Sequence, residues 1–257
     1  MIREDALLNR RILITREDTS AKRMAEQVKA YGGIPVMAPV LSFEKVQTEK
    51  EHLLKAFEAD WVVLTSGNGV RFFLEALSDY ELDQERLTSL AVVGKKTERI
   101  LKENGLQAKL VPETFSAKGL ARAFESLPTG QRIVLVKGRL AKETLQNELE
   151  KQGHTIMPLI LYDTVPNISA RTTLNHVLRE GNLDVLTFTS PSSLDFFLKL
   201  SGLKPNEALF EQTCIACIGP ETRQAAIERG LKTIIMPDRY TADALIDAIA
   251  NAFSNHP

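Results

Sequence analysis

Apolar residues follow two rhythms along this chain: short unbroken runs, and stripes spaced three and four apart. Arg11-Ile12-Leu13-Ile14-Thr15 is such a run and predicts a buried strand. Ala21, Met24, Ala25 and Val28 follow at helical spacing, and Gly32-Gly33 ends that helix. Residues 34–41 predict a strand that Pro35 and Pro39 restrict to a sheet edge or a linker. A helix over 48–57 precedes the run Trp61 to Leu64. The stretch 79–89 is polar and poorly defined. Leu90-Ala91-Val92-Val93 predicts a strand, Gly94-Lys95-Lys96-Thr97 opens a helix ending at Gly105, 107–111 predicts another strand, and Ser116 caps a helix to about 126.

After Leu127-Pro128-Thr129-Gly130 the pattern starts again. Arg132 to Lys137 parallels Arg11 to Arg16, a helix from about 141 ends at Gly153, and 154–161 predicts a strand. A helix over 170–179 leads to the run Val185 to Phe188, and the run Cys214 to Ile218 precedes Gly219-Pro220-Glu221-Thr222. That helix stops at Gly230, 232–236 predicts a strand, and Thr241 caps the last helix. The halves match at an offset of roughly 120–125 residues, which marks a domain duplication and not a solenoid. Read from residues alone, the chain divides near Gly130.

The most telling repeat is a turn. Thr65-Ser66-Gly67-Asn68-Gly69, followed by Phe72-Phe73-Leu74, recurs as Thr189-Ser190-Pro191-Ser192-Ser193, followed by Phe196-Phe197-Leu198. Each turn sits between a strand and a helix, and the Phe-Phe-Leu edges read as core. Strands alternating with amphipathic helices predict parallel sheets, whose ligands lie beyond the carboxyl ends of the strands. Arg16, Ser66, Thr97, Lys137, Ser190 and Thr222 all follow strand ends and are expected on one rim of each lobe. A helix N-terminus offers unpaired N–H groups and partial positive charge, so such a rim can cradle a carboxylate or phosphate. Serine and threonine are also the ordinary helix caps, so each turn reads equally as a cap.

Composition narrows the function classes. Of 257 residues, 44% are hydrophobic and 25% charged, with net charge −1, so no nucleic-acid footprint is expected. No stretch approaches the ~20 apolar residues of a membrane span. The first residues lack the pattern of a signal peptide, and the expected location is the cytoplasm. Cys214 and Cys217 have CxxC spacing, but on a strand residues three apart face opposite ways, so they read as buried small hydrophobes. His52, His154, His176 and His256 are scattered without metal-ligand spacing, and neither GxGxxG, Walker A nor GxSxG occurs. An enzyme with this sequence is expected to work by binding and shaping its substrate, without metal or cofactor.

The chain resembles the uroporphyrinogen-III synthase family over nearly its whole length. The resemblance rests on the order and spacing of Leu13-Ile14-Thr15-Arg16, Thr65-Ser66-Gly67-Asn68-Gly69, Val92-Val93-Gly94-Lys95-Lys96-Thr97, Leu161-Tyr162-Asp163-Thr164-Val165-Pro166, Thr189-Ser190-Pro191-Ser192 and Ile218-Gly219-Pro220-Glu221-Thr222. It implies two similar parallel-sheet α/β lobes joined by two linker strands, with the active site in the cleft between them. Lobe 1 would combine 1–41 with 166–257, lobe 2 would be 43–160, and the linkers would lie near 40–43 and 161–166.

The implied reaction is the cyclisation of hydroxymethylbilane, a linear tetrapyrrole with eight carboxylates, to uroporphyrinogen III with loss of water and inversion of the last pyrrole ring. The implied enzyme is a monomeric hydro-lyase without cofactors, in transient contact with the deaminase that makes its substrate, and with neither nucleic acid nor membrane as partner. Carried over by position, Tyr162 assists departure of the hydroxyl. The expected substrate-binding set is Arg16, Thr65, Ser66, Gly67, Asn68, Lys95, Thr97, Lys137, Gly138, Ser190, Ser192, Ser193 and Thr222. Lys137-Gly138 stands where the family commonly has Arg-Gly, and Glu221 places an acid beside one proposed anion site. The competing expectation is a non-catalytic, bilobal anion sensor, which would bind without turnover.

Overall fold

The computed structural model describes residues 3–16, 19–87 and 89–254. Glu17 and Asp18, which follow Arg16, and His256 lie outside the described residues. In chain order the elements are β1 (Arg11–Ile14), α1 (Thr19–Ala30), β2 (Ile34–Met37), β3 (Leu41–Lys45), α2 (Lys50–Glu58), β4 (Trp61–Leu64), α3 (Gly67–Asp79), β5 (Leu90–Val92), α4 (Lys95–Glu103) and α5 (Ala117–Phe124). They continue with β6 (Arg132–Gly138), α6 (Thr144–Lys151), β7 (Thr155–Pro166), α7 (Arg171–Glu180), β8 (Val185–Phe188), α8 (Pro191–Ser201), α9 (Ala208–Gln212), β9 (Cys214–Cys217), α10 (Pro220–Glu228), β10 (Ile234–Ile235) and α11 (Ala242–Ser254).

The chain forms two compact units, 1–42 with 165–257 (unit 1) and 43–164 (unit 2). Unit 1 holds a five-stranded sheet ordered β10-β9-β8-β1-β2, with parallel pairing from β10 through β2. Unit 2 holds the order β3-β7-β6-β4-β5, parallel from β7 through β5. The repeat near Gly130 therefore does not coincide with the packing. The opening strand–helix–strand of each sequence half, β1-α1-β2 or β6-α6-β7, joins the sheet built by the later strands of the other half.

Side chains alternate across each sheet, so helices cover both faces. In unit 1 Leu13, Leu186 and Phe188 pack with Phe197 on one face, while Ile12, Ile14 and Val185 pack with Met24 and Leu245 on the other. In unit 2 Val62, Leu64, Val134 and Val136 pack with Phe73, while Val63, Ile133 and Leu135 pack with Leu120 and Leu145. Phe73 and Phe197, from the repeated Phe-Phe-Leu edges, are fully buried. Truncating either to alanine would cost about 3–5 kcal/mol.

The cysteines fall on opposite faces of β9, Cys214 with the Met24 cluster and Cys217 with the Phe197 cluster, and neither is bonded. Burial pushes the Cys217 thiol up to about 12, which makes it unreactive. Residues 34–41 split into edge strand β2 and the start of β3, in keeping with their prolines. The strand expected over 107–111 is reduced to a single bridge between Ala91 and Leu110, cut short by Pro112. α6 begins at Thr144, later than expected, and the short α9 carries no periodic stripe long enough to announce it.

Candidate functional site

In unit 2 the carboxyl ends of β4 and β6 lie side by side where the sheet order reverses, β7 on one side and β5 on the other. Ligands of open α/β sheets bind at such switch points. Four residues expected from the sequence meet here. Ser66 is in extended conformation, and its Oγ caps α3 by accepting the Gly69 N–H at 3.0 Å. The same Oγ lies 3.0 Å from the Tyr162 hydroxyl. Thr65 Oγ1 donates to the Val136 carbonyl at 3.3 Å, tying the two strand ends together. Gly138 pairs with Tyr162 across β6 and β7, beside a register shift.

The phenol of Tyr162 is held from several directions. Phe72 stacks on its ring at 5.3 Å and Phe43 meets it edge-on at 5.9 Å. Tyr162 is 8% exposed. A side chain at Gly138 would place its first carbon 2.5 Å from the ring, so the glycine leaves the space that the tyrosine occupies. A carbon at Gly67 would collide with the Ile100 side chain, so α3 also approaches α4 closely. Asn68 is half-buried on the first turn of α3.

Lys137 is 6% exposed at the end of β6. Among the described residues no carboxylate or carbonyl meets its ammonium. Among the described residues the fully enclosed side-chain atoms lacking partners are Arg11 Nε and Gln152 Oε1, so Lys137 Nζ reaches the surface while its stem is buried. A cation held this way, without an acid beside it among the described residues, is well suited to an incoming carboxylate.

In unit 1 the corresponding switch point lies between β1 and β8. Ser190 caps α8 in a reciprocal box with Ser193: Ser193 N–H donates to Ser190 Oγ at 3.1 Å, and Ser190 N–H to Ser193 Oγ at 3.2 Å. Ser193 is fully buried and its hydroxyl also donates to the Ser190 carbonyl. Ser192 Oγ lies 3.0 Å from Ser190 Oγ, half-buried at the rim. Arg16 is half-buried at the end of β1 and already engaged by a neighbour.

A second pair of turns matches between the units. Gly94 and Gly219 are the N-caps of α4 and α10, both extended and both without a capping side chain. Thr97 and Thr222 stand in the first turns, 6% and 3% exposed. Lys95 is exposed at the start of α4. The serine turns thus cap their own helix ends with a hydroxyl, whereas the N-cap glycines have no side chain to do so. Among the described residues no group of histidines, cysteines and acids could hold a metal.

These are the features a family comparison has to account for. The family model described as uroporphyrinogen-III synthase HemD matches residues 22–247. The chain belongs to the uroporphyrinogen-III synthase family. It is 29% identical over 246 residues to a uroporphyrinogen-III synthase of Chlorobaculum parvum, covering 94% of this chain and 98% of that one. The synthase of Synechococcus elongatus is 26% identical over 254 residues, with 96% of each chain covered. Two solved structures share the fold at a TM-score of 0.64. A mutant uroporphyrinogen III synthase of Thermus thermophilus is 24% identical, with 96% of this chain and 100% of that chain covered. Uroporphyrinogen-III synthetase of Helicobacter pylori is 14% identical, with 97% and 100% covered. The sensor reading finds no comparable support, and the synthase family sets the frame for the site. The sequence did not reveal that Ser66 and Tyr162 touch, because they lie 96 positions apart and are brought together by the pairing of β4 with β6 and of β6 with β7.

Proposed function

We propose that this chain cyclises hydroxymethylbilane to uroporphyrinogen III, with Tyr162 as the proton donor to the departing hydroxyl. The observation that carries the proposal is the Ser66–Tyr162 hydroxyl pair at the switch point of unit 2. Ser66 Oγ accepts from Gly69. With the Ser66 proton donated to the tyrosine oxygen, the phenolic proton is left to point at a ligand. The C–O bond of the substrate breaks with electrons pushed from its pyrrole nitrogen. The leaving hydroxyl takes the phenolic proton, and the pyrrole N–H proton lost in forming the azafulvene restores the phenol. The substituted carbon of the last ring then attacks to give a spiro intermediate, which fragments and recloses with that ring inverted. The pyrroles supply the electronic push, so the protein contributes mainly by holding the folded substrate.

Lys137, Lys95, Thr65, Ser66, Asn68, Thr97, Ser190, Ser192 and Thr222 are assigned to the substrate's carboxylates and backbone, each from its own rim, and Arg16 and Gly138 complete the set. In this reading the enzyme is a cytoplasmic, monomeric hydro-lyase supplied by the deaminase. The test is an assay with hydroxymethylbilane generated in place, the products oxidised and separated by isomer. Excess type III over the type I product of the uncatalysed reaction is expected. Type I alone, from folded protein, would refute the reading.

A further inference from the structure

The two faces of the unit 2 sheet divide the charge at its rim. Val136 packs toward α3, and a side chain at Gly138 would meet Tyr162 on that same face. Lys137 stands between them on the strand, so its side chain turns to the opposite face, where Ile133 and Leu135 pack with Leu120 and Leu145. Two cations on segments beside β7 are already taken. Arg139 bonds Asp163 at 3.0 Å, and Lys45 bonds Glu75 at 3.2 Å and also Asp79.

Arg71, exposed in the second turn of α3, is different. Glu75, four positions on and the natural helical partner for it, is the acid that Lys45 takes. Among the described residues no acid meets the Arg71 guanidinium. The guanidinium lies instead 4.4 Å above the centre of the Phe72 ring. Consecutive residues of a helix point about 100° apart, so this contact draws the side chain round from solvent toward its neighbour. Phe72 is 4% exposed, and its ring stacks on Tyr162 with 15° between the planes. The cation is thus one ring removed from the phenol. Helical side chains lean toward the N-terminus, which tilts Arg71 to the rim where Ser66 caps α3 and where Asn68, three positions earlier, shares its face.

We propose that Arg71 is a specificity-determining residue: seated on Phe72, its guanidinium holds a carboxylate of the pyrrole from which the hydroxyl departs, and so fixes that ring against Tyr162. This rests on the function proposed above. A guanidinium presents paired donors in one plane, so it sets the direction of a carboxylate as well as its place. The aromatic seat restrains the arginine beforehand, which lowers the freedom lost on binding. Direction matters because ring closure has two outcomes. A held ring receives the substituted carbon and gives type III, while a ring free to turn closes as the free substrate does and gives type I. Arg71 therefore acts on which isomer forms, and Lys137, on the other face of the sheet, on how tightly the substrate is held.

The test compares wild type with Arg71→Met, which covers Phe72 without the charge, and Arg71→Lys, which keeps the charge without the planar fork. The isomer-resolved assay is used, with type I formed in the absence of enzyme subtracted. Arg71→Met is expected to lower kcat/KM about tenfold, the worth of one charged hydrogen bond, and to raise the share of type I in the enzymatic product. Its melting temperature should stay close to that of wild type. Arg71→Lys should recover part of the rate and less of the isomer share. A lowered melting temperature with an unchanged isomer share would reduce Arg71 to a cover for Phe72 and overturn the proposal. Type III in equal share from wild type and Arg71→Met overturns this role alone, whereas type I alone from wild type overturns the functional reading and the role together.

Discussion

Tyr162 has a fixed phenol because Gly138 has no side chain and Phe72 lies against its ring. Tyr162→Phe keeps the stacked ring and removes only the hydroxyl. Its kcat is expected to fall by less than the ~10²-fold at which general acids usually begin to matter, since the pyrroles drive departure themselves. Unchanged turnover would take Tyr162 out of the mechanism. Lys137 makes the opposite trade. Its apolar stem is buried, and among the described residues no acid answers its ammonium. Lys137→Met is expected to equal or exceed wild type in stability by up to about 2 kcal/mol. Its KM should rise roughly tenfold, the worth of one charged hydrogen bond. Lys137→Arg should recover most of the affinity. A destabilised methionine variant with normal KM would contradict both halves of the argument. Both side chains were legible in the sequence as strand-end residues, but their surroundings were not. The glycine under the tyrosine and the missing acid near the lysine follow from register, which no short motif encodes.

Ser66 and Ser190 look alike in sequence and both cap helices, yet their hydroxyls have different neighbours. Ser66 Oγ touches the Tyr162 phenol, whereas Ser190 Oγ meets the Ser193 N–H and the Ser192 hydroxyl. Ser190→Ala and Ser66→Ala should each lose about 1 kcal/mol of stability from the cap. Only Ser66→Ala should also lower kcat, and equal kinetic effects would undo the distinction. Most elements could be read from the chain because their stripes and glycine stops are local. Exceptions were short or non-periodic: the Ala91–Leu110 bridge in place of a strand, and α9.

At the scale of the whole molecule, unit 2 is expected to weaken in mild acid. His154 lies in unit 2, 6% exposed, and burial holds its imidazole below the ordinary 6.5. Its Nδ1 accepts the Gln131 N–H at 3.3 Å, a bond that protonation would break. The neutral form is the folded one. Its contribution is full above the unfolded value near 6.5 and is lost as pH falls from there through the lower folded value. The chain has one tryptophan, Trp61, which packs edge-on against Phe124 in the same unit. Tryptophan fluorescence during unfolding should therefore show unit 2 weakening below pH 6.5, and His154→Gln should flatten that dependence. An equally steep pH profile in the variant would place the acid sensitivity elsewhere.

The exchange of strand–helix–strand pieces between the two sequence halves also sets an order of events during synthesis. Unit 2 is one uninterrupted segment, and all its strands have left the ribosome once residue 166 is clear. β1-α1-β2 emerges before unit 2 but pairs with β8, which is made more than a hundred positions later. Chains fold vectorially, domain by domain, and unpaired apolar strands are prone to aggregate while they wait. A segment made before unit 2 therefore finds its place after it, and Ile12, Leu13 and Ile14, fully buried at the end, are residues that the nascent chain must keep out of trouble in the meantime.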